Sequence, residues 1–157
     1  MNPKWIEPYI DSSKKIIYEM TGIEISVIGI RKVVGDEFES YGVSSALTFS
    51  GKMKGRFIID ISPEAAMEMV FKIMGEKKEN IKDKLFLACI SEMNNTIAGD
   101  ANTTLNDKYL LSLRLTPPVV FSGKNVQVAT SKMEAVIVEC STEFGNLKLN
   151  IAIQEEV

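Results

Sequence analysis

Residues 43–75 read VSSALTFSGKMKGRFIIDISPEAAMEMVFKIMG, and this stretch decides the fold class. Two of its segments, Val43–Ser50 and Met53–Ile61, are rich in residues that favour strands, and only Gly51-Lys52 lies between them. Two extended segments joined by two residues predict an antiparallel β-hairpin. The hairpin is the starting point for the rest of the chain.

Helices are expected on both sides of this hairpin. On its C-terminal side, Ser62-Pro63-Glu64 combines a capping side chain, a proline suited to the first turn and a negative charge near the positive end of the helix dipole. This helix should end at about Met74, because Gly75 readily adopts the left-handed conformation that closes helices. On the N-terminal side, Trp5–Met20 carries one broad apolar face, which is typical of an amphipathic helix, and Gly22 follows as a stop.

The other segments group into runs of strands rather than alternating singly with helices. Strands are predicted at Ile23–Val34, Leu110–Thr116, Met133–Ser141 and Leu147–Ile153. In the last of these, apolar residues occupy every second position, which predicts one buried and one solvent-facing side. This order favours an α+β fold, with a largely antiparallel β-sheet and helices packed on it, and the length fits a single domain over residues 1–157.

Composition excludes several classes of function. The chain contains no histidine, which removes Ser-His-Asp and Cys-His catalysis and histidine-ligated metals. Cys89 and Cys140 form no CxxC motif, so neither a disulfide framework nor a zinc site is expected. A net charge of -3 argues against nucleic acid as a partner. No apolar run approaches the ~20 residues of a membrane span, so we expect no membrane insertion and a cytoplasmic location.

A long helix predicted at Ile81–Leu105 has two different sides when its residues are placed at about 100° intervals. One arc is apolar and should face the core: Phe86, Ile90, Met93, Ile97 and Ala101. The opposite arc holds small and polar residues: Ala88, Ser91, Glu92, Asn95, Gly99 and Asn102. Long exposed helices usually carry a mixture of Lys and Glu, so this second arc is unusual for a solvent-facing surface.

Glu92 and Asn95 are the chemically distinctive residues of the outer arc. Residues three apart on a helix are neighbours, so these two side chains project side by side, whereas Asn94 points about 100° away. Gly99 costs about 1 kcal/mol relative to alanine inside a helix, and close approach of another backbone is a common reason for such a glycine. We interpret the arc as a low surface for docking, and expect Asn94 and Asn102 to make local hydrogen bonds. The alternatives are an inert surface pair, and a glycine that marks a helix end or a close helix–sheet contact.

Two segments resemble a known family. Ile90–Gly99, with the sequence ISEMNNTIAG, is similar to the E-x-x-N helix of the CheC/CheX/FliY family of chemotaxis phosphatases. Leu115–Gly123, with the sequence LTPPVVFSG, strengthens the resemblance toward the CheX members. The resemblance covers nearly the whole chain, and its specific part is Lys82–Gly123. A second E-x-x-N, which CheC-like relatives often carry on the first helix, is absent, because Glu19 is followed three positions later by Gly22.

The resemblance implies a phosphatase that acts on the phospho-aspartyl form of the response regulator CheY. Asn95 would orient the attacking water, and Glu92 would contact the regulator's lysine. Three small residues would let the regulator approach closely: Ala88, Ser91 and Gly99. The chain would need no cofactor or metal site of its own, because the regulator supplies Mg²⁺. The resemblance also suggests a homodimer built through the sheet. In the sequence itself, the alternating strand at Leu147–Ile153 and its short tail could leave an edge to be paired.

Two other interpretations remain open. One is a non-catalytic module, such as a flagellar-switch-like interaction domain, that docks on the regulator without hydrolysing its phosphate. The Glu92/Asn95 pair argues against it, because a docking domain has no need of both residues. The other is an unrelated enzyme that uses Glu92 as a general base, which requires a buried carboxylate with a raised pKa.

Ala88 departs from many CheC-type sequences, which carry Asp or Ser at this position.

Overall fold

The computed structural model describes residues 2–123 and 127–155, and for residues 35–38, 127–132 and 155 it describes the backbone alone. Three helices and seven strands lie in these ranges. In chain order they are α1 (Pro3–Thr21), β1 (Ser26–Glu39), β2 (Val43–Ser50), β3 (Met53–Ile61), α2 (Pro63–Met74), α3 (Lys84–Tyr109), β4 (Arg114–Leu115), β5 (Val119–Ser122), β6 (Gln127–Thr142) and β7 (Gly145–Glu155).

The described strands form one antiparallel sheet in the order β1-β6-β7-β3-β2-β4, with β5 also paired to β2. The predicted hairpin is confirmed, because β2 and β3 pair in continuous register from Val43 opposite Ile61 to Ser50 opposite Lys54. The α+β class with a largely antiparallel sheet is therefore confirmed as well.

The helix ends follow the signals in the sequence. Ser62 caps α2 by accepting a hydrogen bond from the Ala65 N–H at 3.3 Å. Gly75 follows α2 with a φ of 71°, and Gly22 follows α1 with a φ of 74°. Both angles lie in the left-handed region that glycine adopts without a steric penalty, so each helix stops where the sequence predicts.

All three helices pack against the sheet and share one hydrophobic core with it. At the centre of the core, the ring of Tyr9 in α1 stacks on Phe49 of β2 and Phe57 of β3, with ring centroids 5.7 and 5.2 Å apart. Packed aromatic pairs contribute about 0.5–1.5 kcal/mol each beyond the area they bury. These contacts hold α1 against the middle of the sheet.

The position of β7 differs from the expectation. This strand lies between β6 and β3, so the segment predicted at Leu147–Ile153 is in the interior of the sheet and is not an exposed edge. The side predicted to face solvent is buried too, since Lys148, Asn150 and Ala152 are 8%, 5% and 0% exposed. Alternation along a strand indicates which residues share a face, but it does not report which strands lie beside it or what covers the second face.

A buried polar cluster, which we call the Asp60 cluster, lies on the sheet face opposite the helices. Asp60 accepts hydrogen bonds from the hydroxyls of Ser40 and Ser44 and from the Tyr41 N–H, and it lies 3.7 Å from Lys148 Nζ. Lys148 also donates to the last carbonyl of β1 at 2.6 Å. Burial raises the pKa of Asp60, while its donors and Lys148 act in the opposite direction. The cluster ties the segment between β1 and β2 to the centre of the sheet.

The longest strands differ most from their predicted bounds. β1 covers residues 26–39 instead of 23–34, and β6 covers 127–142 instead of 133–141. They pair with each other along most of their length, with a register shift between Gly35 and Glu37. Pairing with the partner strand determines how far each strand extends. The residue types within one strand do not indicate where that pairing ends.

The segment predicted as a strand at residues 110–116 begins instead with a tight connection. Leu110 and Ser112 both have a φ of 54°, in the left-handed region. The Asn106 side chain accepts from the Leu113 N–H at 2.7 Å and donates to its carbonyl at 3.2 Å. Only Arg114–Leu115 then pairs as a strand.

Candidate functional site

The helix α3 presents the candidate site, and its start is well defined. Asp83 caps it by accepting hydrogen bonds from the N–H groups of Leu85 and Phe86 at 2.9 and 3.0 Å. The helix covers residues 84–109 rather than the predicted 81–105. The five residues predicted for its core face are all 0% exposed: Phe86, Ile90, Met93, Ile97 and Ala101. The prediction of which side faces the core is therefore confirmed.

Two asparagines of α3 lie in surroundings that the sequence did not predict. Asn94 is completely buried, and its Nδ2 donates to the Ser45 carbonyl at 3.0 Å and to the Ser45 hydroxyl at 2.8 Å. Asn102 is 3% exposed and accepts a hydrogen bond from the Tyr9 hydroxyl at 2.5 Å. The expectation of local bonds is wrong for both, and Asn102 does not belong to the outer arc. The angular spacing puts it near Asn95, but the side chain of Tyr9 reaches this end of the helix and buries it.

The other five residues of the outer arc form an open surface, which we call the docking strip: Ala88, Ser91, Glu92, Asn95 and Gly99. Ala88 and Glu92 are exposed, and the other three are half-buried. The Thr96 hydroxyl donates to the Glu92 carbonyl at 2.8 Å and lies 3.5 Å from the Glu92 carboxylate. Within the described part of the chain, no group hydrogen-bonds to the Asn95 side chain. Its amide is therefore available to a molecule from outside.

Gly99 lies inside α3 and not at its end. Apart from its chain neighbours and the surrounding backbone of α3, a Cβ at this position would meet no described atom nearer than Leu115 Cδ1, at 3.9 Å. A helix end and a close helix–sheet contact are therefore both wrong as explanations of this glycine. It leaves a low point in the docking strip, and Leu115 of β4 flanks the strip there.

An ion pair joins α1 to α3 beside the docking strip. Asp100 accepts hydrogen bonds from Lys15 Nζ at 2.9 Å and from the Ser12 hydroxyl at 2.7 Å. The Lys15 bond is the main reason why the pKa of Asp100 lies below its ordinary value. A cleft of about 200 Å³ lies next to this pair, but Glu92 and Asn95 do not line it. The candidate pair faces an open surface instead, which suits a macromolecule better than a small ligand.

The sequence matches a known family over the region that holds this surface. A family model described as "Chemotaxis phosphatase CheX" matches residues 43–141, which is more than half of the chain and includes the whole docking strip. The chain belongs to the CheX family. The resemblance seen in the E-x-x-N helix and in the Leu115–Gly123 segment is thereby confirmed.

Individual relatives agree with this membership of the CheX family. A protein of Thermotoga maritima described as "CheY-P phosphatase CheX" is 27% identical over 128 residues, which is 82% of this chain and 81% of the relative. The structure of a CheC-like superfamily protein from Shewanella sp. PV-4 has a TM-score of 0.89 at 26% identity, and the match covers 98% of this chain and 99% of that one. A chain of the CheX-CheY-BeF3-Mg²⁺ complex from Borrelia burgdorferi has a TM-score of 0.77 at 28% identity, with 96% and 98% covered.

Two further properties of this CheX-family chain concern metals and membranes. Among the side chains that the structure describes, no group of three or more acidic or cysteine residues is placed to hold a metal ion. No helix in residues 2–123 and 127–155 is both long and apolar enough to cross a bilayer.

Sequence reasoning placed Thr96 and Leu115 in the segments that resemble the family, but it did not assign either residue to the site that they border. Thr96 could have been found, because residues four apart on a helix are neighbours and Glu92 is four positions earlier. The position of Leu115 beside Gly99 has no local signal, since the end of α3 and a tight connection separate them in the chain.

Proposed function

We propose that this chain dephosphorylates the phospho-aspartyl form of a CheY-type response regulator, and that Asn95 orients the attacking water. One observation carries the proposal: the Asn95 amide stands half-exposed beside Glu92, without a hydrogen-bond partner among the described residues. Membership of the CheX family supports the choice of reaction. The relative described as a CheY-P phosphatase and the CheX-CheY complex support the choice of substrate.

The reaction needs placement more than covalent chemistry. Water attacks phosphorus in line with the aspartyl oxygen, a new P–O bond forms, the acyl P–O bond breaks, and inorganic phosphate and free aspartate result. The transition state is loose, so positioning and electrostatics supply most of the acceleration. The Asn95 side chain suits this task, because its carbonyl oxygen can accept a hydrogen bond from the water and its nitrogen can donate one.

Glu92 is assigned a contact with the partner. An exposed carboxylate one turn from Asn95 can form a charge-assisted hydrogen bond with a lysine beside the regulator's phosphoryl group. The regulator's own Mg²⁺ neutralises charge on the phosphoryl oxygens, and no residue of this chain is assigned to hold it. Three small residues keep the surface low enough for the regulator to reach Asn95: Ala88, Ser91 and Gly99.

The test of the proposal is the loss of radiolabelled phosphate from the phosphorylated CheY of the same organism. Wild type should accelerate this loss, and Asn95→Ala should lower the acceleration by at least about 100-fold. Asn146→Ala is a matched control, because Asn146 is exposed and lies on the β6–β7 hairpin, outside the docking strip. Equal rates for wild type and Asn95→Ala would remove Asn95 from the mechanism, and wild type that binds the regulator without acceleration would make the chain a docking module.

Binding tests the role of Glu92 separately. We expect Glu92→Ala to weaken binding to the regulator loaded with beryllium trifluoride and Mg²⁺, a stable mimic of the phosphoryl group, by about tenfold or more. Glu64→Ala, an exposed glutamate in the first turn of α2, should bind as wild type does. Unchanged binding by Glu92→Ala would contradict the lysine contact.

A homodimer is the second part of the proposal, and β1 is the strand edge through which the sheet would continue. β1 lies at one end of the described sheet, and its exposed apolar residues support this choice, since Ile28, Ile30 and Val34 are 59%, 60% and 71% exposed. Sedimentation should find a dimer for wild type and a shift toward monomer for Ile30→Lys. Wild type that sediments only as a monomer would remove the dimer.

A further inference from the structure

We infer that Asn94 is a positioning residue for Asn95, fixing the depth and the rotation of the helical turn that presents it. This inference rests on the proposed function, since it concerns the residue that we assign to the attacking water. Asn94 itself cannot touch the regulator, because its side chain is completely buried on the sheet-facing side of α3.

The contacts of Asn94 attach this turn directly to the sheet. Its side-chain nitrogen has two hydrogens, and Ser45 supplies an acceptor for each, the carbonyl at 3.0 Å and the hydroxyl at 2.8 Å. Ser45 is itself held on both sides, opposite Ile59 in β3 and Val120 in β5. The anchor is therefore part of the paired sheet and not of a loop.

The position in the sequence makes this anchor relevant to chemistry. Asn94 and Asn95 are consecutive, so one side chain points into the core while the next, about 100° round the helix, points out. Sliding or rotating this turn would break both bonds to Ser45. Errors of about 1 Å in the placement of a reacting group cost about 100-fold in rate. The two bonds that fix the backbone next to Asn95 should therefore affect kcat.

The choice of an asparagine at this buried position is otherwise costly. The Oδ1 atom of Asn94 is buried without a partner among the described residues, and burying an unpaired polar atom is unfavourable. An apolar side chain would avoid this cost but would allow the helix to shift against the sheet. Directional hydrogen bonds permit one arrangement, which is the property that a water-placing residue needs from its neighbour.

The same helix offers a matched control in Asn102. This residue is also an asparagine, is also buried, at 3% exposed, and also bonds to a distant element, through the Tyr9 hydroxyl. Its Nδ2 is likewise without a partner in the described ranges. It differs from Asn94 in lying about two turns beyond Asn95. A general loss of helix stability should lower the activity of variants at Asn94 and Asn102 alike. A loss of positioning should lower only that of the Asn94 variant.

The experiment measures kcat and KM for dephosphorylation of the regulator by Asn94→Leu and Asn102→Leu, well below the melting temperature of each variant. We expect Asn94→Leu to lower kcat about tenfold or more while KM changes less than about threefold. Asn102→Leu should leave both constants within about twofold of wild type. Ser45→Ala, which removes one of the two acceptors, should also lower kcat, but by a smaller factor. It replaces Asn94→Leu as the test variant if Asn94→Leu does not fold.

A second readout is independent of activity. The side-chain amide signal of Asn95 in ¹⁵N NMR spectra should shift in Asn94→Leu and stay in place in Asn102→Leu. The inference is overturned if the two variants lower kcat equally, or if Asn94→Leu keeps both the wild-type kcat and the wild-type Asn95 signal. Wild type without any phosphatase activity would contradict the proposed function instead, and the NMR comparison would still decide whether Asn94 positions Asn95.

Discussion

The Asp60 cluster and the docking strip are two polar regions of one chain, and they use a carboxylate in opposite ways. Asp60 is 1% exposed and has three hydrogen-bond donors and Lys148 around it. Glu92 is exposed, and the Thr96 hydroxyl lies 3.5 Å from its carboxylate. A carboxylate whose bonding capacity is filled inside the chain holds strands together, whereas one with free capacity can bind another molecule. The number of internal partners, more than the residue type, separates the two roles.

Removing the buried carboxylate of Asp60 should have the largest effect on stability, and it tests the difference between the two regions most directly. We expect Asp60→Ala to lower the free energy of unfolding by about 3–5 kcal/mol, because Lys148 and three donors lose the group that they share. Glu92→Ala should change it by less than about 0.5 kcal/mol. Chemical denaturation measures both values. A loss below about 1 kcal/mol for Asp60→Ala would show that the Asp60 cluster does not hold the strands together.

A smaller effect concerns pH. Burial raises the pKa of Asp60 in the folded protein above its ordinary value of 3.8, so the folded state holds this proton more tightly than the unfolded chain does. The stabilisation from this proton is complete below pH 3.8 and is lost as pH rises through the folded pKa. Compared with Asp60→Asn, which cannot titrate there, wild type should lose relative stability as pH rises through this window. Parallel stability curves for the two proteins would contradict the raised pKa.

Gly99→Ala should separate stability from docking. Apart from the local backbone of α3, the added Cβ meets no described atom nearer than 3.9 Å, and alanine favours the helix, so the free energy of unfolding should rise by up to about 1 kcal/mol. In the proposed complex the same methyl group would fill the low point of the docking strip, so binding to the beryllium trifluoride-loaded regulator should weaken. Denaturation and calorimetric titration give the two values, and a variant that is more stable and binds as well as wild type would remove Gly99 from the docking strip.

The smallest effect is expected at the ion pair beside the docking strip. Lys15→Met removes the partner of Asp100, but the two side chains are 52% and 31% exposed, so water screens the pair and the free energy of unfolding should hardly change. Phosphate release should stay at the wild-type rate, because Lys15 lies outside the docking strip. A clear fall in that rate would extend the functional surface from α3 onto α1.

Features that depend on neighbouring residues in the chain could be predicted from the sequence. The caps at Ser62, Gly22 and Gly75, the β2–β3 hairpin and the core side of α3 all follow from local backbone preferences and from the period of the apolar residues. The pairing of Glu92 with Asn95 on one side of the helix belongs to the same class, since it needs only the helix geometry.

Features that depend on residues far apart in the chain could not be predicted in this way. The angular position of Asn102 resembles that of Asn95, and only the arrival of Tyr9 from α1 makes it buried. The interior position of β7 depends on which strands pair with it, and its alternating pattern is the same at an edge or in the middle. The anchor of Asn94 on Ser45 joins residues 49 positions apart, and no spacing rule connects them.

The order of strands in the sheet also has a consequence for the synthesis of the protein. β1 is among the first segments to be made, yet its partner in the sheet is β6, and β7, which is made last of the described strands, lies in the middle. Contacts between distant segments form late and slowly. The nascent chain can therefore complete its sheet only after residues 145–155 have left the ribosome. Until then the helix that carries Asn95 has no finished support, so an unfinished copy should show little of the proposed activity.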